Sequence, residues 1–205
     1  MTRPGGLILC GGESRRMGRD KASLPFEGEP LLGRVVRRLA TSCAPLVVVA
    51  AAEQVLPPLP EEVAVARDRA SGRGPMEGLA VGLAALRGRA EAAFVTSTDA
   101  PFVVPAFVAR LHALLGDRAI CAPAIGGRRH PLGAIYRVSL ADDVAARAAR
   151  GEGRLQDLLD THPTRLVTAE ELLADEALRR ADPTLTSLDN LNTPADYQRA
   201  LASDR

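Results

Sequence analysis

The sequence predicts a single-domain α/β fold in which a mostly parallel sheet carries helices on both faces. Short uninterrupted apolar runs, typical of strands buried on both faces, alternate along the chain with stretches of helical period. Short turns rich in glycine or proline separate them. This alternation is the pattern of a Rossmann-like three-layer sandwich. No repeat or linker divides the 205 residues, so we expect one domain over residues 1–205.

The first 122 residues hold the clearest part of this pattern. Strands are expected at 6–10, 46–49, 63–65, 92–95 and 119–122, with a short extended piece at 24–26. Helices are expected from Pro30 to Leu39, from Met76 to Leu86 and from about Pro105 to Leu115. In the first helix, Arg34, Arg37 and Arg38 fall largely outside the apolar face, and we expect them to be solvated.

The pattern loosens beyond Gly126-Gly127. Further strands are expected at 132–136 and 166–167. Further helices are expected at 144–150, 155–159 and 170–180, with a last one from Thr193 or Pro194.

Composition and charge exclude several classes of protein. The apolar runs are far shorter than the roughly 20 residues that cross a bilayer, and the N-terminus lacks a signal-peptide core, so we expect a soluble cytoplasmic protein. A net charge of +1, with four Phe, two Tyr and no Trp, argues against a nucleic-acid or membrane surface. The spacing of Cys10, Cys43 and Cys121 does not suit a disulfide scaffold or a zinc site. We expect each of them to be a small buried apolar residue.

The positive charges are clustered even though the net charge is small. Three basic groups hold Arg15, Arg16, Arg19 and Lys21, then Arg67, Arg69 and Arg73, and finally Arg128 and Arg129. Such grouping in a near-neutral protein indicates a compact polyanion, such as a nucleotide.

The segment that follows the first strand is typical of a phosphate-binding loop. Gly11-Gly12 lets the main chain approach a polyphosphate, and the cations up to Lys21 match its charge. The spacing fits neither a dinucleotide-binding G-x-G-x-x-G nor a P-loop, because the next glycine is Gly18 and Arg19-Asp20 precedes the lysine.

Three loops are expected to meet at one edge of the sheet. Residues 11–21, 68–78 and 99–102 each follow a predicted strand. In open α/β sheets, ligands bind beyond the carboxyl ends of the strands, where the strand order reverses. The three loops are therefore expected to form one site.

The pattern G-G-x-S-x-R-M-G-x-D-K resembles the molybdenum cofactor guanylyltransferases. These are members of the nucleotidyltransferase superfamily, whose fold is of the nucleotide-diphospho-sugar transferase type. The resemblance covers nearly the whole chain. The other matching segments are Pro30-Leu31, Arg67-Asp68 with Gly74-Pro75-Met76-Glu77-Gly78, Thr98-Asp99-Ala100-Pro101-Phe102, His130-Pro131 and Asn190-Leu191-Asn192-Thr193-Pro194.

The resemblance implies transfer of GMP from GTP to molybdenum-bound molybdopterin, with release of pyrophosphate and a need for Mg²⁺. It also implies partners that deliver the cofactor or mature molybdoenzymes. The implied catalytic residues are Lys21 and Arg16 on the phosphates and Asp99 as the Mg²⁺ ligand, since magnesium usually takes one or two carboxylates. The implied nucleotide-binding residues are Leu9, Cys10, Gly11, Gly12, Lys21, Asp68 and Asp99. The implied acceptor-binding residues are Asn190 and Asn192.

Several alternatives stay open at the level of sequence. An aspartate before Pro101 is also typical of a turn, and the two asparagines could cap the last helix. A second glycine at Gly12 favours GTP over CTP by resemblance, but Ala50 stands where relatives often carry a nucleotide-contacting asparagine. Glu77 also replaces a small residue. A cytidylyltransferase, another small-acceptor nucleotidyltransferase and a non-catalytic nucleotide-binding regulator are the alternative functions.

Overall fold

A mixed eight-stranded sheet lies between two layers of helices in the computed structural model, which describes residues 2–10, 20–68 and 74–202. The strands are β1 (Gly5–Leu9), β2 (Pro25–Phe26), β3 (Glu29–Pro30), β4 (Leu46–Ala50), β5 (Val63–Arg67), β6 (Ala92–Ser97), β7 (Ile120–Ile125), β8 (Arg128–Arg129), β9 (Ala134–Arg137) and β10 (Thr164–Val167). The helices are α1 (Leu31–Ala40), α2 (Pro75–Ala85), α3 (Pro105–Leu115), α4 (Ala141–Ala149), α5 (Leu155–Thr161), α6 (Ala169–Leu173), α7 (Glu176–Ala181) and α8 (Pro194–Ala202). Short 3₁₀ turns cover Lys21–Ser23, Val138–Leu140 and Thr186–Leu188.

The sheet is mostly parallel, as predicted. Its order is β10-β7-β9-β6-β1-β4-β5, with β8 added to β7, while β2 and β3 form a separate hairpin. Strand β9 runs antiparallel to both β6 and β7, and the pairs β1–β4, β4–β5, β1–β6 and β7–β10 are parallel. The chain moves outward from β1 to β4 and β5, then returns to β6 on the other side of β1. The strand order therefore reverses at β1, which is where such sheets bind ligands.

Alternate residues of the central strands enter two separate apolar cores. Ile8, Val48 and Phe94 pack on one face of the sheet, with α1, α3, α6 and α7. Leu7 and Val47 pack on the other face, with α2, α4 and α5. Both faces are covered, which explains why these strands are apolar throughout rather than alternating.

The helix expected at 170–180 is two helices, and this prediction was wrong. Thr168 and Glu171 form a reciprocal capping box at the start of α6. Asp175 then starts α7, because its side chain accepts the backbone N–H of Leu178 at 2.9 Å. A second N-terminal cap inside an apolar pattern divides it.

Arg34 is buried, which corrects the expectation that it is solvated. Its side chain is 4% exposed. Its Nε donates to the carbonyl of Pro101 at 3.2 Å, its guanidinium also pairs with Glu27, and it lies 5.0 Å from the centre of the Phe26 ring. The β2–β3 hairpin and the turn after Asp99 fold over this side of α1 and cover it.

The three cysteines are free and buried, as expected for small apolar residues. Burial raises the pKa of the Cys10 thiol to about 11 and those of Cys43 and Cys121 to about 12. The thiols are therefore protonated at neutral pH, which does not suit a nucleophile.

None of the helices in residues 2–10, 20–68 and 74–202 is both long and apolar enough to span a membrane.

Candidate active site

Lys21 and Asp99 meet at the carboxyl edge of the sheet. The Lys21 Nζ donates to Asp99 Oδ2 at 2.8 Å, and the two side chains are 21% and 15% exposed. Lys21 begins the 3₁₀ turn that comes after β1 along the chain, and Asp99 lies just beyond the end of β6. These strands are neighbours in the sheet. The fold thus brings two residues that are 78 positions apart into direct contact at the reversal of strand order.

Local hydrogen bonds place both partners of this ion pair. The Asp20 side chain accepts the backbone N–H of Ala22 at 3.0 Å and so starts the 3₁₀ turn that begins with Lys21. The Ser97 hydroxyl donates to the Asp99 carboxylate. Thr98 is buried, and its backbone N–H donates to the carbonyl of Leu9 at 3.2 Å, which joins the ends of β1 and β6.

Ser97 and Thr98 are contributors that the sequence reasoning missed. The signal was present, because a polar run of four residues ends an otherwise apolar strand.

Asp68 lies at the same edge of the sheet, beyond the end of β5. Its backbone N–H donates to the carbonyl of Ala50 at 2.9 Å, and its Oδ1 is buried without a hydrogen-bond partner among the described residues. Burial raises the pKa of the Asp68 carboxyl above its ordinary value, and the charge of Glu77 adds to this effect. Glu77, in the first turn of α2, is itself 8% exposed. The half-buried Asp68 and the buried Glu77 thus lie close enough for their charges to interact. The Oδ1 atom of Asp68 can still accept a hydrogen bond.

The other residues implied for nucleotide binding fall into two groups. Leu9 ends β1, Cys10 follows it, and both are buried. The predictions for Gly11, Gly12 and Arg16 concern residues outside the part of the chain that the structure describes.

The three basic groups have different environments. Of the first group, Lys21 is described and contacts Asp99. Arg67 of the second group donates to the backbone carbonyls of Ala51 and Gln54 at 2.9 and 2.6 Å, while Arg69 and Arg73 lie outside the described residues. In the third group, Arg129 pairs with Asp160, whereas Arg128 lines a cavity.

That cavity, of about 570 Å³, contains the two asparagines expected to face the acceptor. Asn190 and Asn192 line it together with Arg128 and His130. Burial and the charge of Arg128 lower the pKa of His130, which favours the neutral imidazole. The cavity thus offers amide, imidazole and guanidinium groups to a polar ligand, and the carboxylates of Asp189 and Asp196 also line it.

The asparagine segment is tied directly to Asp99. The backbone N–H of Leu191 donates to the carbonyl of Asp99 at 2.8 Å. The side chain of Leu191 packs in a third apolar cluster with Leu24, Phe26 and Phe102. Asn190 and Asn192, which line the cavity, therefore flank a residue that is hydrogen-bonded to the backbone of Asp99.

Gln54 is a further site residue that the sequence reasoning missed. It lies in the loop after β4, and its amide contacts both Cys10 and Asp20. No sequence signal marked it, because a single glutamine in a loop matches no motif.

The residues present fit a divalent cation that completes its coordination with substrate phosphates. Among the described residues, no three His, Cys, Asp or Glu side chains are grouped so that they could hold a metal. Asp99 supplies a carboxylate, each oxygen of which retains acceptor capacity beyond its bond to Lys21 or Ser97. Magnesium characteristically takes one or two carboxylates plus phosphate oxygens and water, so a single aspartate suits it.

Comparison with known protein families gives a match over most of the chain. Residues 6–166 match the family described as the MobA-like NTP transferase domain. A protein of Mycobacterium bovis named probable molybdenum cofactor guanylyltransferase is 38% identical over 205 residues, which cover 98% of this chain and 94% of that relative.

Solved structures share the fold. Molybdopterin-guanine dinucleotide biosynthesis protein A of Archaeoglobus fulgidus superposes with a TM-score of 0.74 at 24% identity, over 97% of both chains. A Mycobacterium tuberculosis protein, solved in complex with manganese, superposes with a TM-score of 0.65 at 20% identity, over 98% of this chain and all of that one. At these identities the structural matches show the α/β nucleotidyltransferase fold.

Proposed function

The chain belongs to the MobA-like NTP transferase family and is a nucleotidyltransferase, and we propose that it transfers GMP from GTP to molybdenum-bound molybdopterin, with release of pyrophosphate. The observation that carries the proposal is the contact between Lys21 and Asp99 at the carboxyl edge of β1 and β6. The name of the Mycobacterium bovis relative supports the choice of guanine nucleotide and acceptor.

The proposed reaction is a displacement at the α-phosphorus of GTP. A phosphate oxygen of the acceptor forms the new P–O bond. The bond between the α-phosphorus and the bridging oxygen breaks, and its electron pair leaves with pyrophosphate. Catalysis of such a step depends on positioning two polyanions and on offsetting the charge that develops on the leaving group.

Among the described residues of the first basic group, Lys21 is the cation proposed to contact the phosphates. Its ammonium lies at the edge of the sheet with part of its surface exposed, and Asp20 and Asp99 orient it. We expect Arg16 to act beside it, as the resemblance implies. When bound, Mg²⁺ held by Asp99 would offset the negative charge of the triphosphate.

Asp68 is proposed to accept a hydrogen bond from the nucleoside. Its Oδ1 is buried and has no partner among the described residues. A hydroxyl or N–H group of the nucleoside would satisfy this atom, which otherwise carries an uncompensated cost of burial. Leu9 and Cys10 would line the same pocket through the backbone at the end of β1.

The acceptor is assigned to the cavity of about 570 Å³. Asn190 and Asn192 offer donors and acceptors to a pterin, and Arg128 offers a charge to a phosphate. The cavity adjoins Asp99 through Leu191, which would place the acceptor phosphate near the reacting α-phosphorus.

A nucleotide panel with molybdenum-bound molybdopterin as acceptor tests the proposed reaction. GTP with Mg²⁺ is expected to give pyrophosphate release, and CTP is expected to give little. Release with CTP but not with GTP would reject the base assignment. Binding of GTP without release under any condition would identify a non-catalytic regulator instead.

The variant Asp99→Asn tests the metal and phosphate site. It keeps the shape of the side chain but removes the charge, so we expect Mg²⁺-dependent transfer to fall at least about 100-fold, as is usual when an electrostatic group at a reacting centre is lost. The control is Asp142→Asn, at an exposed aspartate that pairs with Arg87 on the protein surface. Circular dichroism should show both variants folded. Full turnover in Asp99→Asn would contradict the assignment.

A further inference from the structure

Gln54 contacts the two residues that flank the segment 11–19. Its Nε2 donates to the carbonyl oxygen of Cys10 at 3.2 Å and lies 3.0 Å from both carboxylate oxygens of Asp20. Cys10 is the residue immediately before this segment, and Asp20 is the residue immediately after it. One side-chain amide therefore contacts the residues on both sides of this glycine- and arginine-rich segment.

The orientation of the Gln54 amide is set by its other contacts. Its Oε1 accepts the backbone N–H of Ala51 at 3.2 Å, so its NH₂ group faces Cys10 and Asp20. Arg67 holds the same turn, because it donates to the carbonyls of both Ala51 and Gln54. The amide is thus fixed by the loop that follows β4, a strand hydrogen-bonded to β1.

The partner at the far end of the segment is the residue that starts the Lys21 turn. Asp20 accepts the N–H of Ala22 through Oδ1, and the 3₁₀ turn it caps begins with Lys21. A displacement of Asp20 would move this turn and with it the ammonium that contacts Asp99. Gln54 therefore acts on the Lys21–Asp99 pair through Asp20 and the 3₁₀ turn that Asp20 caps.

We propose that Gln54 is a positioning residue of the nucleotide site, which holds Asp20 against the Cys10 backbone and thereby places Lys21 against Asp99. Its amide is committed to protein groups on both of its atoms, so it acts through Asp20 and does not contact the substrate. For its effect on catalysis, this inference rests on the proposed GTP-dependent transfer. The expected effect of Gln54 on trypsin cleavage within residues 11–19 does not rest on that transfer.

The variant Gln54→Glu removes the hydrogen-bond donor of the side chain and keeps its shape. Glutamate has the same shape, but it cannot donate a hydrogen bond and places a second negative charge about 3 Å from the Asp20 carboxylate, in place of an amide. We expect kcat/KM for GTP to fall by about tenfold or more, the usual effect of losing a hydrogen bond to a charged group. The matched control is Gln198→Glu, the same change at an exposed glutamine of α8, which should leave kcat/KM within about twofold of the wild type.

The double variant Asp20→Asn with Gln54→Glu exchanges the roles of the two side chains. The asparagine amide can donate to the glutamate carboxylate while its oxygen still accepts the N–H of Ala22. We expect the double variant to recover the part of the lost kcat/KM that comes from the Asp20 contact. The hydrogen bond to the Cys10 carbonyl stays lost, because glutamate cannot donate it. Independent losses that multiply in the double variant would overturn the proposal, because residues that are not coupled show additive free energies.

Limited trypsin digestion tests the contacts of Gln54 with Cys10 and Asp20 without any nucleotide. Arg15, Arg16 and Arg19 are tryptic sites within the segment. Cleavage there, followed by mass spectrometry, should be faster in Gln54→Glu than in the wild type and in Gln198→Glu. Equal cleavage rates together with unchanged kcat/KM would overturn the proposal. If the wild type does not turn over GTP, the proposed function fails, and the cleavage rates still decide the role of Gln54.

Discussion

At Asp68, the proposed nucleotide contact and the stability of the fold are opposed. Its pKa lies above the ordinary value of 3.8 because burial, and then the charge of Glu77, disfavour the ionised form. The folded protein therefore binds this proton more tightly than the unfolded chain does. Stability falls as the pH rises from 3.8 through the raised pKa, and the cost stays in full above it.

Asp68→Asn is accordingly expected to stabilise the protein at pH 7 and to weaken GTP binding. Solvent screens part of the charge, so we expect a modest rise in melting temperature of ~1–2 °C. Thermal unfolding at several pH values measures this effect, which should disappear below pH 3.8. Asp117→Asn, at an exposed aspartate, is the control. A lower melting temperature at pH 7 together with unchanged GTP affinity would contradict this account of Asp68.

At the scale of elements, the contact of α2 with β1 depends on a glycine. A β-carbon at Gly82 would overlap the side chain of Leu7, which is fully buried in the core between α2 and the sheet. Neither partner can move far in a closely packed interior. Glycine at this position therefore sets how closely α2, which begins after Asp68 and carries Glu77, lies against the sheet.

Gly82→Ala should cost about 1–3 kcal/mol of the free energy of unfolding, the usual penalty for overpacking a core. Gly33 in α1 is the matched control, since the nearest atom to a β-carbon there would be 3.8 Å away. Gly33→Ala should be neutral or stabilising by up to ~1 kcal/mol, because alanine is the better helix former. Urea denaturation of both variants measures the contrast. Equal stabilities would show that α2 can shift to accommodate the methyl group.

At the scale of the whole molecule, the C-terminal segment packs against the region of the candidate site. A third apolar cluster joins Leu24 and Phe26 of the β2 region to Phe102 beyond Asp99 and to Leu191. Tyr197 of α8 donates to the carbonyl of Pro25 and packs near the Phe26 ring. These contacts hold the segment that carries Asn190 and Asn192 against the turn that follows Asp99.

Asn192→Ala is expected to affect the KM of only one of the two substrates. Removal of its amide should raise KM for the molybdopterin acceptor by about tenfold, which corresponds to one or two lost hydrogen bonds, while KM for GTP stays within about twofold. Steady-state kinetics with each substrate varied in turn measures this. Gln198→Ala on the neighbouring α8 serves as the control. A rise confined to KM for GTP would place the acceptor elsewhere.

Much of the fold and part of the site could be predicted from local patterns. The periodicity of α3 located it from Pro105 to Leu115, as observed. The central strands were found within one or two residues of their observed bounds, because a strand buried on both faces is a continuous apolar run. The rule for open α/β sheets also predicted that Lys21 and Asp99 would lie at one edge.

The sequence by itself determined the alternation of strands and helices, the basic segment after β1 and the carboxylates beyond β5 and β6. These features depend on residues that are close along the chain. The tertiary structure alone decided that Arg34 is covered rather than solvated, and that Gln54 reaches Cys10 across 44 residues. Periodicity reports which side of a helix is polar, but not which distant segment folds over it. That choice depends on the packing of all the elements at once, and it determines which polar side chains hold the site together.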